Sequence, residues 1–171
     1  MKFKDIPKFT RAGSWQASMG WKYLIEWINE NIRESDLQLN PDFQRGHVWT
    51  VEQQIAYIEF RLRGGTSGKT IYFNCPGWMN DFDGDFVCVD GLQRITAIQK
   101  FLNNEIKVFG CYYRDFEDKL PSELDMIVNV NNLKTREEVL RWYIEMNDGG
   151  VQHTEEEINR VKMMLNNTYK N

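Results

Sequence analysis

The chain has 171 residues, enough for one domain with a proper core and no need of disulfide or metal staples. A hydrophobic fraction of 42% and an aromatic fraction of 13% exclude a disordered chain, and a net charge of −4 with a pI near 5.3 excludes a molecule-wide cationic field for nucleic acid. No apolar run reaches membrane-spanning length and the N-terminus lacks the apolar stretch of a signal peptide, which predicts a cytoplasmic protein without a membrane partner.

In chain order, residues 1–17 are polar, basic and without periodicity, and read as an N-terminal arm preceding one domain over 18–171. From about Met19 to Ile32, Leu24, Trp27 and Ile28 share one face and predict a helix. Asp36 to Asn40 alternates as a short strand stopped at Pro41. Thr50 with Gln53 forms a capping box that opens a helix carrying Ile55, Ile58 and Leu62 and ending at Gly64-Gly65. Lys69 to Asn74 and Phe86 to Val89 read as strands around a Gly/Asn/Asp-rich connection, and a helix follows from Ile95 to Leu102. Ile106 to Phe109 and Met126 to Val130 are two further strands, with an aromatic and acidic stretch between them that gives no clear element. Capping boxes at Thr135–Glu138 and Thr154–Glu157 announce two closing helices separated by the turn Asn147-Asp148-Gly149-Gly150.

Cys75, Cys88 and Cys111 are odd in number and widely spaced, and the histidines are His47 and His153 alone, so neither a zinc site nor a disulfide framework is expected. Six Trp in a domain of this size is high; most belong in the core and some on a partner surface or stacking wall. Two basic patches, Lys2, Lys4, Lys8 and Arg11 near the N-terminus and Arg61, Arg63 and Lys69 in the middle, read as solvated edges before phosphate tracks.

Several local patterns lose on inspection. Gly64-Gly65-Thr66-Ser67-Gly68-Lys69-Thr70 invites comparison with a P-loop, but Arg63 stands where its first glycine belongs, and a helix precedes the loop where the P-loop has a strand. Asp81-Phe82-Asp83-Gly84-Asp85 has the carboxylate density of a calcium loop but lacks its terminal Glu, and reads as a hairpin turn. Glu155-Glu156-Glu157 sits at a helix N-terminus, where negative charge is favourable without any catalytic role.

Asp90-Gly91-Leu92-Gln93-Arg94 is more informative. Gly91 falls where a strand turns into a helix, and unpaired N–H groups and the positive end of the helix dipole make such a turn an anion site. The alternative is an ordinary tight turn in which Gly91 permits the bend and Asp90 caps the helix. The loop Pro41-Asp42-Phe43-Gln44-Arg45-Gly46-His47-Val48-Trp49 repeats the amide–guanidinium pair, as Gln44-Arg45. Two such pairs, if brought together, would neutralise a polyanion from opposite sides. The ordinary reading of this loop plugs Phe43, Val48 and Trp49 into the core and leaves Arg45 in a surface ion pair.

Pro41-x-Phe43-Gln44-Arg45-x-x-Val48-Trp49 combined with Asp90-Gly91-x-Gln93-Arg94 resembles the N-terminal domain of GmrSD-type restriction endonucleases, in the ParB/sulfiredoxin-like superfamily, with its D-G-Q-Q-R signature. Tyr143 to Gly150, with Glu157 downstream, is similar to that family's F-x-x-L-N-x-x-G segment. The resemblance implies an α/β (α+β) fold, a ParB/sulfiredoxin-like small mixed sheet flanked by helices with a C-terminal helical pair. It also implies a nucleoside triphosphate with Mg2+ bound at the D-G-Q-Q-R turn, used to license restriction through a separate HNH-type nuclease. Carried over by residue, Asp90, Gln93 and Arg94 would be catalytic, Asp90 also holding the metal, while Gln44, Arg45, Gly91, Thr96 and Asn147 would bind the nucleotide.

The chain departs from the signature at Leu92, where the family has Gln, which removes one amide from the phosphate turn and excludes the thiol that sulfiredoxin relatives carry there. No His/Asn-rich nuclease segment follows the module, so a partner polypeptide is expected to supply any cleavage. Three readings stay open: an NTP-binding, slowly hydrolysing module of a DNA restriction, defence or DNA-processing system; a ParB-like DNA-binding module without turnover; and a phage or mobile-element interaction protein that keeps the fold alone.

Overall fold

Residues 1–6, 15–44, 48–78, 84–148 and 155–168 are described by the computed structural model. Alternation of packed and exposed residues makes the first strand, β1 (Trp15–Gly20): Met19 is buried, Trp15 and Ala17 pack on the same core, and Gln16 and Ser18 face solvent. The strand takes in Trp15 to Ala17, expected in the arm, and Met19, expected in the first helix, because this period-two pattern runs through all of them. Helix α1 (Trp21–Glu34) buries Trp21, Leu24 and Ile28 along one stripe.

The capping box at Thr50 forms as its sequence requires. Gln53 N donates to Thr50 Oγ1 at 3.3 Å and Thr50 N donates to Gln53 Oε1 at 2.9 Å, opening α2 (Val51–Leu62). Strand β2 (Thr70–Asn74), strand β3 (Val87–Asp90) and helix α3 (Leu92–Leu102) follow, then β4 (Asp125–Asn131), α4 (Arg136–Asp148) and α5 (Glu155–Thr168). The box at Thr135 closes too: Glu138 N donates to Thr135 Oγ1 and Thr135 N to Glu138 Oε2. The box at Thr154, the turn at Gly149-Gly150 and Asp81 to Asp83 of the hairpin lie outside the described residues.

The strands form one mixed four-stranded sheet in the order β1-β4-β2-β3. β4 runs parallel to β2 and antiparallel to β1, and β2 pairs antiparallel with β3. Helices cover both faces. On one, Ile71, Phe73, Cys88, Met126 and Val128 pack with residues of α1, α2 and α3; on the other, Val87 and Val89 pack with Phe43 and with Leu140, Tyr143 and Val161 of α4 and α5. Pleat alternation along β3 therefore sends Cys88 toward α3 and its two neighbours toward the C-terminal helical pair.

Two expected strands are not strands of this sheet. Asp36 to Asn40 contributes a single parallel bridge, Gln38 with Val87, because Asp36 has φ +50° and the chain turns at Pro41 into a 3-10 turn, Asp42–Gln44. That bridge still covers the outer edge of β3: Gln38 N donates to Phe86 O and Cys88 N to Gln38 O. Ile106 to Phe109 is reduced to a bridge between Val108 and Cys111, since Phe109 and Gly110 both adopt positive φ and fold the segment back. Its apolar residues Ile106 and Val108 are buried as a plug instead.

Candidate functional site

The turn from β3 into α3 is built around Gly91. Its φ of +114° lies where side chains are strongly disfavoured, and a Cβ there would meet Ile71 Cγ2 at 2.9 Å. The α3 N-terminus also differs from those of α2 and α4. No side chain caps it and its first turn has no acidic residue, whereas α2 and α4 each carry a Thr capping box. The Leu92 N–H turns down to the Cys88 thiol, no N-cap side chain satisfies the rest of the first turn, and the dipole favours an anion before it.

Arg94 and Asp90 flank that opening. Arg94 Nη1 lies 3.2 Å from Asp90 Oδ2 and donates to Thr70 O at 2.5 Å, which fixes the guanidinium against the first residue of β2. The side chains remain 20% and 28% exposed, so a ligand can reach both. Thr96, one turn further on, donates its hydroxyl to Leu92 O at 2.9 Å and so turns its proton back to the helix. Cys88, beneath the turn, is fully buried, and burial first and then the nearby Asp90 charge push its thiol far above the usual range. A thiol held protonated in the core is no nucleophile.

The loop that carries Arg45 is stitched to this turn on both sides. Before Arg45, Gln44 Nε2 donates to Cys88 O at 2.5 Å; after it, Trp49 N donates to Gln93 Oε1 at 2.9 Å. Arg45 itself lies outside the described residues; Gln44 and Trp49 on either side of it contact the strand and helix that present Asp90 and Arg94. The two glutamines therefore join the two turns. Val48, which the ordinary reading of the loop puts in the core, is 75% exposed, and Trp49 is half-buried.

The C-terminal helices brace the same loop. The Tyr143 ring of α4 packs edge-on against Phe43 with centroids 5.2 Å apart, and Arg160 of α5 donates to Phe43 O at 3.2 Å. Asn147 is in the last turn of α4, one turn beyond Tyr143, with its side chain outside the described residues. Sequence reasoning missed Arg160, for which no local pattern gives a signal, and Tyr57. Tyr57 of α2 packs its ring on Trp49 at 5.3 Å and donates its hydroxyl to Gly68 O at 3.0 Å. Burial raises the Tyr57 pKa against the opposing pull of Arg61 and Arg94, so the phenol stays a donor at neutral pH.

The middle basic patch dissolves as a unit. Arg61 is buried at 3% exposure, donating to Asp125 O at 2.8 Å with the Asp125 carboxylate 3.9 Å away. Lys69 meets the same carboxylate at 3.5 Å, and Arg63 lies over the Phe109 ring. Burial works to raise the Asp125 pKa, but the Ser18 hydroxyl, Lys69 and Arg61 together outweigh it and hold the carboxyl below its usual range. Arg61 and Lys69 thus converge on Asp125 at the start of β4, while Arg63 stacks on Phe109. Among the described residues no cluster of three or more His, Cys, Asp or Glu side chains is placed to hold a metal. A cavity of about 220 Å³ opens at the far end of β3, between Phe43, Val87 and Val139, with no residue of the Asp90 turn in its wall.

A four-stranded mixed sheet covered by helices on both faces, with a strand-to-helix turn at Gly91 flanked by the Asp90–Arg94 pair, defines an α/β module. The chain matches the family model of the GmrSD restriction endonuclease, N-terminal domain, over residues 24–126, and it belongs to that family. Both the Gln44-Arg45 loop and the Asp90–Arg94 turn fall inside the matched segment; the third block, from Tyr143, lies beyond it. No curated protein and no solved structure matches the chain. Membership places it as a module of restriction systems, and among the described residues no helix is long and apolar enough to cross a membrane.

Proposed function

We propose that this chain is the nucleoside-triphosphate-binding, slowly hydrolysing module of a DNA restriction system, with the phosphates seated at the N-terminus of α3. The observation that carries this reading is the uncapped first turn of α3 flanked by the half-open Asp90–Arg94 pair. Arg94, together with Arg45 as the family resemblance assigns it, neutralises the phosphate oxygens as the terminal phosphoryl passes to water and the nucleoside diphosphate leaves. Gly91 lets the backbone approach, and the Nε2 of Gln93 orients phosphate or water. Leu92 in place of the family's amide makes turnover slow while leaving binding intact.

Mg2+ in phosphate sites is commonly held by one or two carboxylates together with the phosphates themselves, and Asp90, 28% exposed at this turn, supplies such a carboxylate. When bound, the ion would draw charge from the phosphate oxygens. Nuclease chemistry is assigned to a separate domain or partner polypeptide acting on DNA. A DNA-binding role for the module itself is the weaker reading, because the middle cations it would use are engaged with Asp125 and Phe109.

Thermal shift with each NTP and Mg2+ tests the proposal. Ligand at a hundredfold over its dissociation constant adds about 2.7 kcal/mol, which raises Tm by about 5–11 °C in a domain of this size. The gain is expected to vanish in Arg94→Ala. No shift with any NTP would sink the proposal, as would a shift that survives the substitution.

A further inference from the structure

We infer that the half-buried indole of Trp49 is the stacking platform for the base of the nucleotide, so that the site takes a nucleotide in preference to a bare polyphosphate chain. The inference rests on the reading above, that phosphates sit at α3, and adds which group holds the other end of the ligand. Trp49 is the residue hydrogen-bonded to the anion-binding turn itself, through its N–H and Gln93 Oε1 at 2.9 Å. Its carbonyl is held as well: Gln54, buried at 2% exposure, donates Nε2 to Trp49 O at 3.2 Å. Two carboxamides thus clamp both polar groups of one residue's main chain, an arrangement that fixes where the ring goes.

The ring leans on Tyr57, with centroids 5.3 Å apart and planes inclined by 56°, and is otherwise half-open to solvent. Tyr57 in turn bonds Gly68 O, in the loop that leads to Thr70, whose carbonyl anchors Arg94. The sequence Trp49, Tyr57, Gly68, Arg94 therefore runs as one continuous wall from aromatic surface to guanidinium. A partly buried aromatic pair beside a phosphate cradle matches how planar bases are held without sequence readout. The 220 Å³ cavity does not compete for the base, because it opens at the opposite end of β3 on the face packed against α4.

Calorimetric titration of the whole chain with an NTP and with inorganic tripolyphosphate, each with Mg2+, separates the two claims. The wild type is expected to bind the NTP about tenfold or more tightly than tripolyphosphate; Trp49→Ala should lose about that factor for the NTP alone, and Trp49→Phe should keep most of it. Should Trp49→Ala fail to fold by circular dichroism, Trp49→Leu takes its place, keeping apolar volume without a π face. Equal affinity of the wild type for both ligands overturns the inference while leaving the phosphate reading intact. So does a Trp49 variant that weakens both ligands alike. Binding of neither ligand, or binding of both that ignores Arg94→Ala, overturns the phosphate reading and this inference with it.

Discussion

Substituting Gly91 by Ala tests the geometry of the turn on which the site depends. Two independent costs act at this position. The first is conformational: φ +114° puts an L residue in a region costing about 1–2 kcal/mol even at its better-tolerated left-handed edge. The second is steric. The new methyl would lie 2.9, 3.1 and 3.2 Å from Cγ2, Cγ1 and Cβ of Ile71, a fully buried side chain on β2. β-Branching leaves Ile71 little rotamer freedom to escape, and overpacking of this kind costs about 1–3 kcal/mol. Gly91→Ala should therefore destabilise by about 2–5 kcal/mol, read as a drop in urea midpoint at unchanged slope. Ile71→Ala removes the clashing branches, so the double variant should be less destabilised than the sum of the singles by about 1–3 kcal/mol, the steric share. A loss below about 1 kcal/mol for Gly91→Ala, or full additivity with Ile71→Ala, would refute the account of this turn.

Two further outcomes follow from the charged and thiol groups. Asp125 has a folded pKa below its ordinary 3.8, so its stabilisation is complete above that value and is lost as pH falls through the folded pKa. Urea midpoints of the wild type should fall more steeply than those of Asp125→Asn between about pH 5 and about pH 3; parallel curves would remove the Ser18–Lys69–Arg61 network as a source of stability. For the thiols, burial pushes Cys75 up to about 11 and Cys88 higher still, whereas Cys111 is half-exposed. A disulfide reagent at neutral pH should therefore titrate one of the three cysteines quickly in the native protein and all three in denaturant. Fast modification of two or more in the native state would contradict the burial of Cys75 and Cys88.

What could be read in the sequence was what is encoded locally. The boxes at Thr50 and Thr135 are closed by residues three apart, and the helices they announce begin where they should. The strand–Gly–helix order around Asp90 was legible for the same reason, since a buried apolar run, a glycine and a helical stripe follow one another directly. Errors fell where a distant contact or an unusual dihedral decides. Ile106 to Phe109 has the composition of a strand, and a positive φ at Phe109 cancels it. Arg61 looks like a surface cation, yet it is buried because Asp125, Met126 and the Trp21 ring surround it from parts of the chain far removed in sequence.

The two glutamines carry the larger lesson about the site. Read in isolation, Gln44-Arg45 and Gln93-Arg94 look like two copies of one ligand-binding pair. Gln44 instead donates to β3 through Cys88 O, and Gln93 accepts from the loop through Trp49 N. Each amide fastens its own turn to the other one. Physically, such a stitch fixes the two turns relative to each other from both sides. Arg94 is held by Asp90 and Thr70 O, and the residues flanking 45–47 are held at Gln44, at Trp49 and, through Phe43, by α5's Arg160. The repeated Gln-Arg motif is thus better understood as a repeated joint than as a repeated contact. It explains why two turns separated by all of α2 and β2 come to share one edge of the sheet, with both polar main-chain groups of Trp49 held by carboxamides.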